Sequence, residues 1–334
     1  MLRRVACEGA YASELLYTRL GTGVSRADAA LCTELTLGVL RWQGLLDFLL
    51  ARHLQPQDQH KNPERAVERL DIEVLLALRL GLYQLRFLER VPAHAAVGES
   101  VELAKRARKR SAAGLVNAIL RRAAPDAKIS GPGLENLLPE GLSASERAAT
   151  LYSHPEWLVT RWMAQFGADR TIALLEANNR PPALSCAVLD PKHVAAVAES
   201  LRGTAAPGRW LLSALTIGSG NPAALGAFQS GEISLQDEAS QMVAHLAGAR
   251  PGDFVLDVCA APGGKATLLA RAVAPNGSVI AADLHEHRLR SMREQLARTG
   301  TRNVSLLALD ATQPLAFSLL EGAKPFDRIL VDAP

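Results

Sequence analysis

Residues 253–265, Asp-Phe-Val-Leu-Asp-Val-Cys-Ala-Ala-Pro-Gly-Gly-Lys, carry a buried-strand pattern straight into a glycine turn. A strand that enters a helix through such a turn leaves backbone N–H groups and the positive helix end facing a pocket. That chemistry suits the charged or polar part of a small molecule. Gly263 and Gly264 have no Cβ and let the backbone approach a ligand closely, while Pro262 stiffens the entry and Ala260 and Ala261 keep the wall thin. Three acids follow, Asp283, Asp310 and Asp332, each at the end of a strand-like run. Asp283 lies about 20 residues beyond the turn, where an acid accepts hydrogen bonds from ribose hydroxyls; Asp310 is placed to reach the base of the same nucleoside. Lys265 can donate to a ligand carboxylate or balance Asp332. Cys259 precedes the turn and has no neighbouring histidine or lysine to lower its pKa, so it reads as a small lining residue and not a nucleophile. Asp257 reads as a residue bracing the loop.

A second constellation is basic. Lys105, Arg106, Arg108, Lys109, Arg110, Arg121 and Arg122 fall within residues 101–122, with Glu102 as the one acid. Such a cluster can neutralise several phosphates or can simply be a solvated helix face. The net charge of +3 conceals this asymmetry: residues 1–150 hold 21 Lys/Arg against 17 Asp/Glu, and the rest 16 against 17.

The elements that must carry these residues differ along the chain. Residues 1–125 are helical in pattern: Leu70, Val74 and Leu78 recur four apart and are joined by Leu75, Leu82 and Leu85. Leu31, Leu35, Leu37 and Leu40 mark another helix, and Leu115, Val116, Ile119 and Leu120 a further one; Pro92 is expected to stop the helix before it. Several short-connected helices imply a bundle. Residues 126–150, with Pro125, Gly131, Pro132, Gly133, Pro139 and Gly141 in or beside them, read as a linker ending at a helix capped by Ser143 or Ser145. Residues 151–235 suggest a small α+β unit. From 236 to 334 helices and strands alternate, which predicts a parallel sheet with its ligand edge at the carboxyl ends of the strands.

A chain of 334 residues, 48% hydrophobic, is long enough for more than one buried core. No apolar run reaches the ~18–20 residues of a membrane span. Cys7, Cys32, Cys186 and Cys259 form no Cys-x-x-Cys pair, which favours a reducing cytoplasm without disulfide frame or structural metal.

The heptapeptide Cys259–Lys265 resembles motif I of RNA cytosine-C5 methyltransferases. Tyr152–Val159 (YSHPEWLV), Glu176–Pro182 (EANNRPP) and Ser234–Gln241 (SLQDEASQ) are similar to segments of the RsmB family, bacterial 16S rRNA cytosine-C5 methyltransferases. Leu78–Leu85 and Gly114–Arg122 resemble the NusB-like RNA-binding domain fused to those enzymes. The resemblance covers nearly the whole chain. It implies a multi-domain protein: an all-α NusB-like bundle (1–125), the linker, a small RNA-recognition subdomain (151–235) and a Rossmann-like class I methyltransferase domain (236–334). It implies S-adenosyl-L-methionine as cofactor, held by residues 259–265, Asp283, Asp310 and Asp332, with 16S rRNA as partner and a monomeric protein.

In that family's chemistry a thiolate adds to C6 of cytosine, the activated C5 takes the methyl group, and a second cysteine assists release. The target base is unstacked, and Asp332 would help hold it. The family places the nucleophilic cysteine directly after the Asp-Ala-Pro that ends this chain at Pro334. The chain is therefore expected to be a fragment that transfers no methyl group, with the strand before Asp332 an unpaired edge. A tRNA-directed enzyme of the same chemistry, a non-enzymatic RNA-binding protein and a nucleotide-dependent oxidoreductase are the competing readings.

Overall fold

The computed structural model describes residues 1–20, 24–54, 67–201, 205–218, 225–313 and 325–333. Two compact units divide the chain, residues 1–181 and 182–334.

The first unit is helical: α1 (Leu2–Glu8), α2 (Ala12–Arg19), α3 (Arg26–Arg41), α4 (Gln43–Ala51), α5 (Ile72–Phe87), α6 (Ala93–Arg106), α7 (Ala113–Ala123), α8 (Pro132–Glu135), α9 (Ala144–Leu151), α10 (Glu156–Phe166) and α11 (Ala168–Asn178). The expected stripe of α5 is its core face: Val74, Leu75, Leu78, Leu82 and Leu85 are buried against Leu45, Leu46, Leu49, Ile119 and Leu120. Gly81 permits that closeness, since a Cβ there would stand 2.5 Å from Leu120 Cδ1. Leu31 and Leu115, although part of the apolar patterns, are exposed. Helix α5 ends at Phe87, before Pro92; the proline instead precedes α6, where its missing N–H costs nothing.

The segment expected as a linker is folded. Ala127, Leu134 and Leu138 are buried, and Ser143 caps α9 through a reciprocal pair with Glu146. Prolines and glycines punctuate turns here without freeing the chain, because small apolar residues between them find the bundle's core. Helices α10 and α11 fall within this first unit; the remainder of the expected α+β segment lies in the second.

The second unit begins with an antiparallel sheet of β1 (Leu184–Val188), β2 (Ala205–Pro207), β3 (Ala214–Ile217) and β4 (Ile233–Leu235) in the order β2-β3-β1-β4. Helices α12 (Val194–Ser200) and α13 (Gly226–Gln229) accompany it, and α14 (Glu238–Leu246) follows. Then β5 (Phe254–Asp257), α15 (Gly264–Val273), β6 (Ser278–Asp283), α16 (Glu286–Arg298), β7 (Val304–Ala308) and β8 (Arg328–Leu330) build a parallel sheet ordered β7-β6-β5-β8. Val255, Leu269, Val273 and Val279 fill one of its cores, and Ala281, Leu289, Met292 and Leu296 another. Among the described residues β8 is an edge, with Ile329 60% and Val331 65% exposed. No described helix is long and apolar enough to cross a membrane.

Candidate cofactor site

Strand β5 is flanked on both sides, by β6 and β8, and so its carboxyl end opens at the middle of the sheet edge. The chain leaves β5 pinned: Val258 N–H donates to Leu330 O (2.9 Å) and Ala260 N–H to Ala282 O (2.8 Å). Gly263 N–H then turns back to Ala260 O at 2.8 Å. Gly263 caps α15 with φ 105°, a conformation that glycine tolerates and other residues resist. Space makes the same demand, because a Cβ there would lie 2.8 Å from Met292 Cγ.

No side chain caps α15. The N–H groups of its first turn have no carbonyl behind them within the helix, and Gly264 and Lys265, which carry two of them, are half-exposed. This is a donor set for a carboxylate or another anion at the positive end of a helix.

The parallel sheet brings the predicted acids to one edge, with Asp283 and Asp310 on one side of the turn and Asp332 on the other. Asp283 is only 4% exposed. Its Oδ2 accepts Ala261 N–H (3.3 Å) and Arg288 Nη1 (3.1 Å), and its Oδ1 accepts His285 N–H (3.1 Å). Leu309 N–H donates to Asp283 O at 3.1 Å, which joins the two strand ends next to Asp310. Asp310 itself is exposed and closes its own turn, accepting the hydroxyl (2.6 Å) and N–H (2.9 Å) of Thr312. Those bonds, the hydroxyl's first, hold its carboxyl below the usual range. Lys265 Nζ stands 2.5 Å from Asp332 Oδ2, so of the two roles open to this lysine the pairing one is the one seen. Pro334 lies outside the described residues.

Asp257, expected to brace the loop, is fully buried, and its carboxylate oxygens have no partner of ordinary hydrogen-bond geometry, with the loop N–H of Cys259 nearby. Desolvation pushes it up to about 6, against the pull of the Lys265 charge and the nearby Cys259 N–H. Cys259 is half-buried, and its thiol is raised by desolvation and by Asp257, Asp283 and Asp332, with Arg288 opposing. A thiol among carboxylates stays protonated and is a poor nucleophile.

Two contributors escaped sequence reasoning. Arg288, in the first turn of α16, ties Asp283 to Ala261 O (3.0 Å); its place five residues after the strand-end acid was the available signal. Gln236 has a buried amide with no partner on either end, and a Cβ on Gly264 would lie 3.1 Å from its Oε1. Nothing local in the sequence marks that contact. Among the described residues no cluster of His, Cys, Asp or Glu could hold a metal.

The basic residues gather at the α6–α7 junction and along α7. Arg106, Arg108, Arg110, Arg121 and Arg122 are exposed. Lys105 and Lys109 are engaged, with Glu102 (2.7 Å) and Asp71 (2.9 Å) respectively. Arg108 has φ 63° at the end of α6, where Lys109 N–H returns to Ala104 O and Arg108 N–H to Lys105 O, both at 3.0 Å. This is a Schellman ending with arginine where glycine is the relaxed choice.

Comparison with known proteins gives these features a family. The NusB family matches residues 2–125, the RsmF/B-like ferredoxin-like domain residues 154–201, and the family described as 16S rRNA methyltransferase RsmB/F residues 244–334. The probable ribosomal RNA small subunit methyltransferase B of Bacillus subtilis is 33% identical over 332 residues, covering 97% of this chain and 69% of that protein. The ribosomal RNA small subunit methyltransferase B of Pseudomonas putida is 36% identical over 322 residues, covering 93% and 67%. This chain therefore spans about two thirds of the length of these relatives. Among solved structures, PH0851 shares the fold (TM-score 0.69, 20% identity, 93% of this chain and 68% of that one). A methyltransferase homolog from Pyrococcus horikoshii aligns with TM-score 0.50 at 27% identity, over 58% of this chain and 64% of its own. With a helical NusB domain, a small ferredoxin-like domain and a parallel-sheet methyltransferase domain following in order, the chain belongs to the 16S rRNA methyltransferase RsmB/F family.

Proposed function

We propose that this chain binds S-adenosyl-L-methionine at residues 259–265 and belongs to a cytoplasmic, monomeric enzyme that methylates C5 of a cytosine in 16S rRNA. The observation that carries the cofactor reading is the uncapped first turn of α15 beside the Asp283 strand end. The N–H groups of Gly264 and Lys265 fit the carboxylate of an amino-acid tail, and Asp283, on which Arg288 makes only a long 3.5 Å contact to Oδ1, would accept a sugar hydroxyl there. Asp310, at the next strand end, would lie toward the base. When bound, the cofactor supplies an electrophilic methyl group.

The chain's own residues position and shield. Gly263, which leaves room for the buried Met292, sets the bend of the turn, and Lys265 pairs with Asp332, which would orient the target base. Arg106, Arg108, Lys109, Arg110, Arg121 and Arg122, with Lys105, grip phosphates without reading sequence. The domain boundaries proposed above, at 125, 150 and 235, are part of this reading.

Neither cysteine of the second unit is suited to attack C6: Cys259 is held protonated, and burial pushes Cys186 up to about 11. Calorimetry with S-adenosylmethionine and S-adenosylhomocysteine tests the cofactor reading: saturable binding by a folded sample supports it and no heat ends it. A methyl-transfer assay on undermodified small-subunit RNA tests the expectation that these 334 residues alone yield no 5-methylcytosine.

A further inference from the structure

The hairpin tip between β2 and β3 is rigidly built, yet it presents its largest side chains to solvent. Glu238, in the first turn of α14, accepts the backbone N–H groups of Arg209 (3.0 Å), Trp210 (2.5 Å) and Leu211 (2.7 Å). Three successive residues are thereby fixed by one carboxylate. Gly208 N–H donates to Ala214 O (2.8 Å) and Ala214 N–H to Leu211 O (3.1 Å), closing the tip. Trp210 is nevertheless 63% exposed and Leu212 96%. The Arg209 guanidinium lies over the Trp210 ring, 4.5 Å from its centroid.

Register adds charge to the same end of the sheet. Val188 N–H donates to Ser213 O at 2.8 Å, so the turn after β1, with exposed Lys192 and His193, leaves the sheet beside this tip. An aromatic ring on a fixed backbone, with a guanidinium on one face and Lys192 in the adjoining turn, matches a nucleotide: a flat base for the ring, a phosphate for the two cations. Leu212 adds an exposed aliphatic side chain beside the ring, but the group laid over the ring face is the Arg209 guanidinium, which favours a nucleotide.

We propose that Trp210 is a stacking platform for an unpaired base of RNA, with Arg209 and Lys192 on the flanking phosphates. This rests on the reading of the chain as one that acts on RNA. Stacking serves single strands, because a paired base has no free face to offer.

The test is fluorescence anisotropy of the full chain with a short labelled single-stranded RNA and with the same RNA annealed to its complement. Trp210→Ala should weaken single-strand binding about 5- to 100-fold and leave duplex binding unchanged, and Trp210→Phe should restore most of the loss. Quenching of tryptophan emission by the single strand should shrink in Trp210→Ala. Equal single-strand affinity of Trp210→Ala and the unaltered chain would overturn the platform while leaving RNA as substrate. Failure of the unaltered chain to bind either RNA would overturn both. A monomer–dimer equilibrium that shifts in Trp210→Ala at unchanged RNA affinity would assign the tip to protein contact and likewise overturn it.

Discussion

Arg288 joins Asp283 to the cofactor turn: one guanidinium nitrogen lies 3.1 Å from Asp283 Oδ2 and the other 3.0 Å from the carbonyl of Ala261. The carboxylate at the end of β6 is thus oriented by a residue that sequence spacing alone did not single out. Arg288→Ala leaves a buried carboxylate with backbone donors only, which should cost about 3 kcal/mol in urea denaturation. It should also weaken S-adenosylmethionine binding about tenfold or more by calorimetry. Arg288→Lys should recover little, since an ammonium cannot span both acceptors in that planar geometry. Undiminished cofactor affinity in Arg288→Ala would show that the orientation of Asp283 is irrelevant to binding.

Gly263→Ala meets two penalties at once, a positive φ of 105° and a Cβ 2.8 Å from Met292 Cγ. The expected loss of stability is about 1–3 kcal/mol, accompanied by loss of cofactor heat. Met292→Ala empties a core position and should itself cost about 2–5 kcal/mol. In its background, however, Gly263→Ala should cost less than in the parent, because the clash is gone and the backbone term remains. A double variant as stable as Met292→Ala alone would show that the clash was the whole problem.

Asp257 makes stability depend on pH in an unusual direction. Its carboxyl titrates at about 6 in the folded chain against a reference of 3.8, chiefly through desolvation. The folded state therefore holds the extra proton between those values, and stability is lost as pH rises through about 6. Asp257→Asn keeps the neutral shape, so it should stabilise the protein by up to about 2–3 kcal/mol at pH ~8 and by almost nothing at pH ~4. Thermal melts across that range decide it, and a gain independent of pH would exclude titration of Asp257 as the cause.

Arg108 separates function from stability in the basic cluster. With its φ of 63°, Arg108→Gly should be neutral or stabilise the helical unit by about 0.5–1 kcal/mol. RNA binding should nevertheless weaken, and the slope of log affinity against log salt should fall by about 0.7–0.9 for a lost phosphate contact. Reversal of Arg106 and Arg110 to Glu should flatten the slope further, whereas Lys109→Glu would chiefly set a third acid beside Asp71 and Glu73. Unchanged affinity and slope in all three would leave this face as merely solvated.

By itself the sequence determined the order of the units, the strand–turn–helix at residues 254–273 and the acids at successive strand ends. All of these are local: a period of 3.6 or alternating elements, a glycine turn, a polar residue where a strand stops. It also determined the family resemblance, because Cys259–Lys265 is a contiguous word. Tertiary structure alone decided that the proline- and glycine-rich segment 126–150 packs, since burial of Ala127 and Leu134 depends on distant helices. The same holds for the burial of Asp257, the clamp from Arg288, the orphaned amide of Gln236 beside Gly264, and the Glu238 anchor that turns Trp210 outward. Each joins residues brought together only when strands pair and helices dock. Burial and partner, which set the charge and orientation of a polar group, are properties of that assembled neighbourhood and not of the residue's place in the chain.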